Sequence, residues 1–100
     1  MDVNIVRENA VVTAYLSGRL DTPASLEIAP QMNALAADAG GTVILDCTEL
    51  SYISSSGLRI FITLRKAAAE KGGRVIVRNI SNEIRSVFMM TGFLNLFEIQ

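Results

Sequence analysis

TVILDCTELSYISSSGLRIFITLRK, residues 42–66, decides the architecture. Thr42 to Asp46 is a short, continuous apolar run closed by an acid. Such a run suits a central strand buried on both faces. From Ser56 onward, apolar residues recur at steps of three and four, the spacing of one helix face. A buried strand feeding an amphipathic helix is one half of a parallel α/β unit. Between them, Cys47 to Ser51 read as a loop, Ile53 as a side chain tucked under the sheet edge, and Ser54 and Ser55 as N-cap positions. The helix is expected over Ser56 to Lys71, ended by Gly72-Gly73.

The same pattern extends in both directions. Residues 3–7 and 10–16 are rich in β-branched side chains and are parted by Glu8-Asn9, which predicts a hairpin. Gly18 is expected to end the second strand. Asp21 or Thr22 then caps a helix with Pro23 in its first turn. That helix is expected over Ala24 to Asp38, with Ile28, Met32, Leu35 and Ala36 facing the core. Pro30 disturbs it, because an interior proline removes one backbone bond at a cost of about 3 kcal/mol. Either the helix kinks there or its regular part begins nearer Glu27. Arg74 to Arg78 reads as another central strand. Ser81 caps a third helix, with Glu83 early in it and Ile84, Val87, Phe88 and Thr91 on one face. The tail FLNLFEI reads as a short edge strand or an extended segment. The order is β-β-α-β-α-β-α with a short last strand, an α/β fold with a mixed sheet covered by helices on at least one face. One hundred residues suffice for one domain, spanning 1–100.

Composition excludes several functions. Ten acidic and nine basic residues leave a net charge of −1, without the basic excess a nucleic-acid binder needs. One cysteine and no histidine argue against a disulfide, a zinc or iron site, and any histidine-based acid–base catalysis. Cys47 reads as a small buried residue. The start is polar, not secretory, and no apolar run approaches the ~20 residues that span a bilayer. A cytoplasmic location and no membrane insertion are therefore expected. The segment GGRVIVRN does not match a phosphate loop, and no cofactor is expected.

The second helix carries two patterns. Gly57, Ile60, Phe61, Leu64, Ala67 and Ala68 form an expected core stripe. Arg59, Thr63, Lys66 and Glu70 form the opposite polar stripe. Leu58 and Ile62 sit beside the core stripe. They either widen the buried face or make an exposed apolar strip for a partner. One serine at the helix head is an ordinary cap worth about 1 kcal/mol. Three exceed that need, and a helix N-terminus also tolerates an anion such as a phosphate on Ser56. Gly57 is expected to keep the approach to that hydroxyl open, having no Cβ. Asp46 is expected to order the loop that follows it.

In order along the chain, Gly18-Arg19-Leu20-Asp21, Val43-Ile44-Leu45-Asp46, Leu50 to Leu58 (LSYISSSGL) and Gly72-Gly73 resemble the STAS domain family of anti-sigma factor antagonists. The resemblance covers nearly the whole chain. It implies that Ser56, the serine before the glycine, is the phosphorylation site, with Ser55 as the fallback. The modifying enzyme would be a serine kinase that is also the anti-sigma factor. The unphosphorylated domain would bind this kinase and free a sigma factor; phosphate would break the complex, and a phosphatase would restore it. Asp21 corresponds to the family's acid after the second strand, near the acceptor. Asp21, Ser54, Ser55, Gly57, Leu58, Arg59 and Ile62 are the expected partner-binding positions. The family pattern is Asp-Ser-Ser-Gly, and Ser54 stands here in place of its aspartate.

Two function classes therefore remain open on the sequence: a phospho-switched partner of a kinase, or a STAS accessory subunit of a membrane lipid-transport ABC complex. The neutral Ser54 favours the second slightly. An enzyme is disfavoured, since no base accompanies the serines.

Overall fold

The computed structural model describes the whole chain, Met1–Gln100. Strands β1 (Asp2–Glu8) and β2 (Val11–Leu20) form the hairpin, turned at Asn9 with φ of 56°. Asparagine tolerates that left-handed conformation better than most residues. Helix α1 (Thr22–Ala34) follows, then a 3₁₀ turn (Leu35–Asp38), β3 (Thr42–Ile53), α2 (Ser55–Lys71), β4 (Arg74–Arg78), α3 (Asn82–Met90), a second 3₁₀ turn (Phe93–Asn95) and β5 (Glu98–Ile99). The sheet runs β1-β2-β3-β4-β5 in chain order. Only β1 is antiparallel to its neighbour; each later strand pairs in parallel with the one before. This is the mixed α/β sheet expected, with the last short strand present.

All three helices cover one face. Val12, Ala14 and Leu16 of β2, Val43 and Leu45 of β3, and Val75 and Val77 of β4 point to it. They pack against Ile28 and Met32 of α1, Phe61 and Leu64 of α2, and Ile84 and Phe88 of α3. The alternate residues Val11 and Tyr15 face outward and are exposed. Phe61, Phe88 and Phe97 form an aromatic trio with centroids 5.8–6.2 Å apart, joining α2, α3 and the tail. Such pairs add about 0.5–1.5 kcal/mol beyond area burial. No helix is long and apolar enough to cross a membrane.

Several boundaries differ from the sequence reading. β2 does not stop at Gly18; it continues to Leu20, with Gly18 at φ of +105° beside a shift in register with β3. Glycine alone enters that region freely, so it bends the strand without ending it. Cys47 to Ser51 are not a loop but part of the twelve-residue β3. Asp46 Oδ1 accepts bonds from the Thr48 N–H at 3.0 Å and hydroxyl at 2.7 Å, beside the other register shift, between Tyr15 and Ser17. The polar residues that suggested a loop mark this irregularity. α1 begins at Thr22, not near Glu27, and holds Pro30 inside it. The missing proline N–H would have bonded the carbonyl of Leu26, a residue 75 % exposed and open to water.

Candidate functional site

The site forms where the parallel pair β2 and β3 ends. Leu20 lies opposite Ile53 in that register. Each strand turns at once into a helix, so α1 begins at Thr22 and α2 at Ser55, side by side. Asp21 caps α1, its Oδ1 accepting the Ala24 N–H at 3.0 Å. Ser54 caps α2, its Oγ accepting the Gly57 N–H at 3.2 Å. The Ser54 N–H donates to the Leu20 carbonyl at 2.8 Å, tying the head of α2 to the end of β2.

The three serines are thereby separated. Ser54 is committed as the cap. Ser55 is the first helical residue and is exposed. Ser56 is half-buried. It lines a groove of about 220 Å³ between the two helices, with Thr22, Ser25, Leu26, Ala29, Arg59 and Ile60. Ser25 is buried, and its hydroxyl donates to the Asp21 carbonyl at 2.8 Å. Arg59 is exposed and its guanidinium makes no ion pair.

Gly57 and Leu58 correct the sequence reading. A Cβ on Gly57 would lie 2.7 Å from Leu20 Cγ and 3.0 Å from Ile53 Cγ1. The glycine therefore faces inward and lets α2 approach the strand ends; it does not open a path to Ser56. Leu58 is only 3 % exposed and belongs to the core, so it contributes no exposed strip. Ile62 is half-buried beside it. The inner face of α2 holds Gly57, Leu58, Phe61, Leu64 and Ala68; Ile60 and Ala67 fall at its edge. Ile60 is drawn aside because it faces α1 across the groove.

Sequence reasoning missed one pair at this end of the sheet. The Arg19 guanidinium lies 4.4 Å from the centre of the Tyr52 ring, across β2 and β3, and both residues are exposed. Arg19 lies within the GRLD motif, but nothing local says which residue it would meet. Farther off, Asp46 pairs with Arg78 at 2.9 Å on the open face of the sheet. Burial pushes the Asp46 carboxyl up; the Thr48 hydrogen bonds and the Arg78 guanidinium outweigh that and hold it below the usual carboxylate range. Cys47 is fully buried, and burial, with Asp46 adding to it, pushes its thiol up to about 12. That is the inert thiol expected of a small core residue.

The family model described as "STAS domain" matches residues 2–100. An anti-sigma-B factor antagonist of Bacillus subtilis is 24 % identical over 101 residues, covering 99 % of this chain and 92 % of that protein. The anti-sigma-B factor antagonist of Listeria monocytogenes is 21 % identical, covering 94 % of this chain and 82 % of that protein. In fold, the chain is similar to the unphosphorylated anti-sigma factor antagonist SpoIIAA, with a TM-score of 0.76 at 22 % identity, covering 99 % of this chain and 87 % of that one. The phosphorylated form of SpoIIAA from Bacillus gives 0.75 at 23 %, covering 99 % and 91 %.

Proposed function

This chain belongs to the STAS domain family, its relatives are named anti-sigma factor antagonists, and on that premise we propose that it is a partner-switching module controlled by phosphorylation of Ser56. The observation that carries this reading is the position of Ser56. It is half-buried and lines the groove, in the first turn of a helix whose cap is already supplied by Ser54. Its hydroxyl has no structural duty there, and no base accompanies it to make it a nucleophile.

The switch acts by charge. Phosphate adds about −1.5 to −2 charge and a hydration shell to a surface that docks as a neutral hydroxyl. The phosphoryl group comes from a nucleoside triphosphate. The bond from Ser56 Oγ to the γ-phosphorus forms as the bridging P–O bond breaks. The hydroxyl proton passes to a base of the kinase, and the diphosphate leaves. Water, in a phosphatase, reverses the modification and releases inorganic phosphate. The partner is a serine kinase that doubles as an anti-sigma factor. Its docking surface here is Asp21, Ser55, Arg59 and Ile62 around the serine, carried on one domain, residues 1–100. Ser54, neutral where the family pattern has an aspartate, lowers the negative charge beside the acceptor and supplies the cap of α2.

The test is intact-mass analysis after incubation with the candidate kinase and ATP. Wild type and Ser55→Ala are expected to gain one phosphate, and Ser56→Ala none. Binding of the phosphorylated protein to the kinase is expected to weaken at least about tenfold, which is 1.4 kcal/mol. An unchanged phosphate yield in Ser56→Ala overturns the assignment. Recovery from native lysate of a permease and its ATPase, without a serine kinase, overturns the partner class.

A further inference from the structure

We propose that Arg59 is a built-in receptor for the phosphate on Ser56, so that the modified chain holds its own phosphoryl group in the groove between α1 and α2. This rests on the phospho-switch reading of Ser56 and adds to it the fate of the phosphate. Three observations carry it. Arg59 follows Ser56 by three residues in α2, a spacing that places side chains about 5–6 Å apart at Cβ on the same helix surface. Side chains on a helix lean toward its N-terminus, so the long Arg59 side chain points back toward the turn that holds Ser56. Both residues line the same groove, and Arg59 is the sole charged residue among those that line it.

Arg59 is also free for the task. The ion pairs of the chain use Arg7, Arg74 and Arg78, while Arg65 and Lys71 bond backbone carbonyls and Arg19 lies over Tyr52. Of the cations left without a partner, Arg59 alone borders Ser56; Lys66 lies farther along α2 and Arg85 on α3. A guanidinium presents paired donors that match phosphate oxygens, which a point charge does not. Thr22, across the groove, offers a hydroxyl that no other side chain uses. Asp21, which precedes the lining residue Thr22 at the cap of α1, does not line the groove, and one of its oxygens is committed to the Ala24 N–H. With neutral Ser54 as the cap of α2, no carboxylate competes for Arg59 on its own helix turn.

The consequence is regulatory. A phosphate folded back onto Arg59 removes that cation from the docking surface at the moment it adds its own negative charge. One modification then changes two features a partner reads.

The test uses the full chain with phosphoserine installed at position 56 during translation, so that it does not depend on any kinase. The second ionisation of the phosphate is followed by ³¹P NMR as a function of pH. A free phosphoserine titrates at about 6. In the wild-type background the midpoint is expected about one unit lower, because an adjacent guanidinium favours the dianion. Arg59→Gln is expected to return it to the free value, and Arg59→Lys to fall between. Arg85→Gln, which removes a distant unpaired cation, is expected to leave it unchanged. Equal midpoints in wild type and Arg59→Gln overturn the proposal, as does an equal shift in Arg85→Gln, which would reflect net charge alone. Failure of the kinase assay on Ser56 with this shift intact overturns the phospho-switch instead, so the two readings fail separately. Matching amide spectra of the unphosphorylated forms confirm that the variants fold.

Discussion

At the scale of single residues, the informative position is the glycine after the serines, and not only the serines. Gly57 lies against Leu20 and Ile53 so closely that any side chain must displace them. Gly57→Ala is therefore expected to destabilise the fold by about 1–3 kcal/mol, the usual cost of overpacking. This outweighs the gain of about 1 kcal/mol that alanine brings to an ordinary helix interior. Urea unfolding of the two proteins measures the difference; equal or greater stability of the variant would show that the close contact is not limiting. The result also separates structure from signalling. A change at Gly57 that weakens partner binding does so by shifting the head of α2, whereas a change at Ser56 or Arg59 acts on the surface itself.

At the scale of the element, α2 serves two masters. Its inner face secures the helix to the sheet through Phe61, Leu64 and Ala68, and its first turn presents Ser55 and Ser56. Leu58, one residue beyond the serine–glycine pair, belongs to the first task. Leu58→Ala is expected to cost about 2–5 kcal/mol, as other fully buried leucines do. Ile62→Ala, at a half-buried position, is expected to cost distinctly less. Thermal or denaturant melting of the pair checks this; the reverse order would return Leu58 to the surface. The helix spacing and most of its phase are visible in the sequence, but the edge of the buried face is not. Gly57, Phe61, Leu64 and Ala68 face inward, as that spacing predicts. Of the two places the spacing leaves open for Leu58, the buried one is taken, while Ile60 falls at the edge because α1 packs beside α2 and meets it at the groove. Periodicity locates a stripe to within one position on either side, and a neighbouring helix decides its edge.

At the scale of the whole molecule, the pairing of Asp46 with Arg78 links the stability of the sheet to pH. The folded carboxyl is held below its ordinary range, so its contribution is present above the unfolded value of about 3.9 and is lost as pH falls through the folded value. Asp46→Asn is expected to be less stable than wild type at neutral pH, with the gap closing below about pH 4. Denaturant midpoints from pH 7 down to pH 3 report it; a gap that stays constant would exclude the ionised carboxylate as its source. The order of strands and helices, and the caps at Asp21 or Thr22, Ser54 or Ser55, and Ser81, are legible along the chain because each depends on residues within a few positions of one another; the family resemblance rests on such local motifs taken in order. The extent of β3 is not, since polar residues in a strand look like a loop until a parallel neighbour pairs with them. The groove is not legible either. Thr22 and Ser56 lie 34 positions apart, and only the parallel pairing of Leu20 with Ile53 sets the heads of α1 and α2 side by side. Local patterning was enough to name the serines, whereas long-range strand pairing assigned them different tasks: Ser54 holds the helix, and Ser56 faces the groove with Arg59.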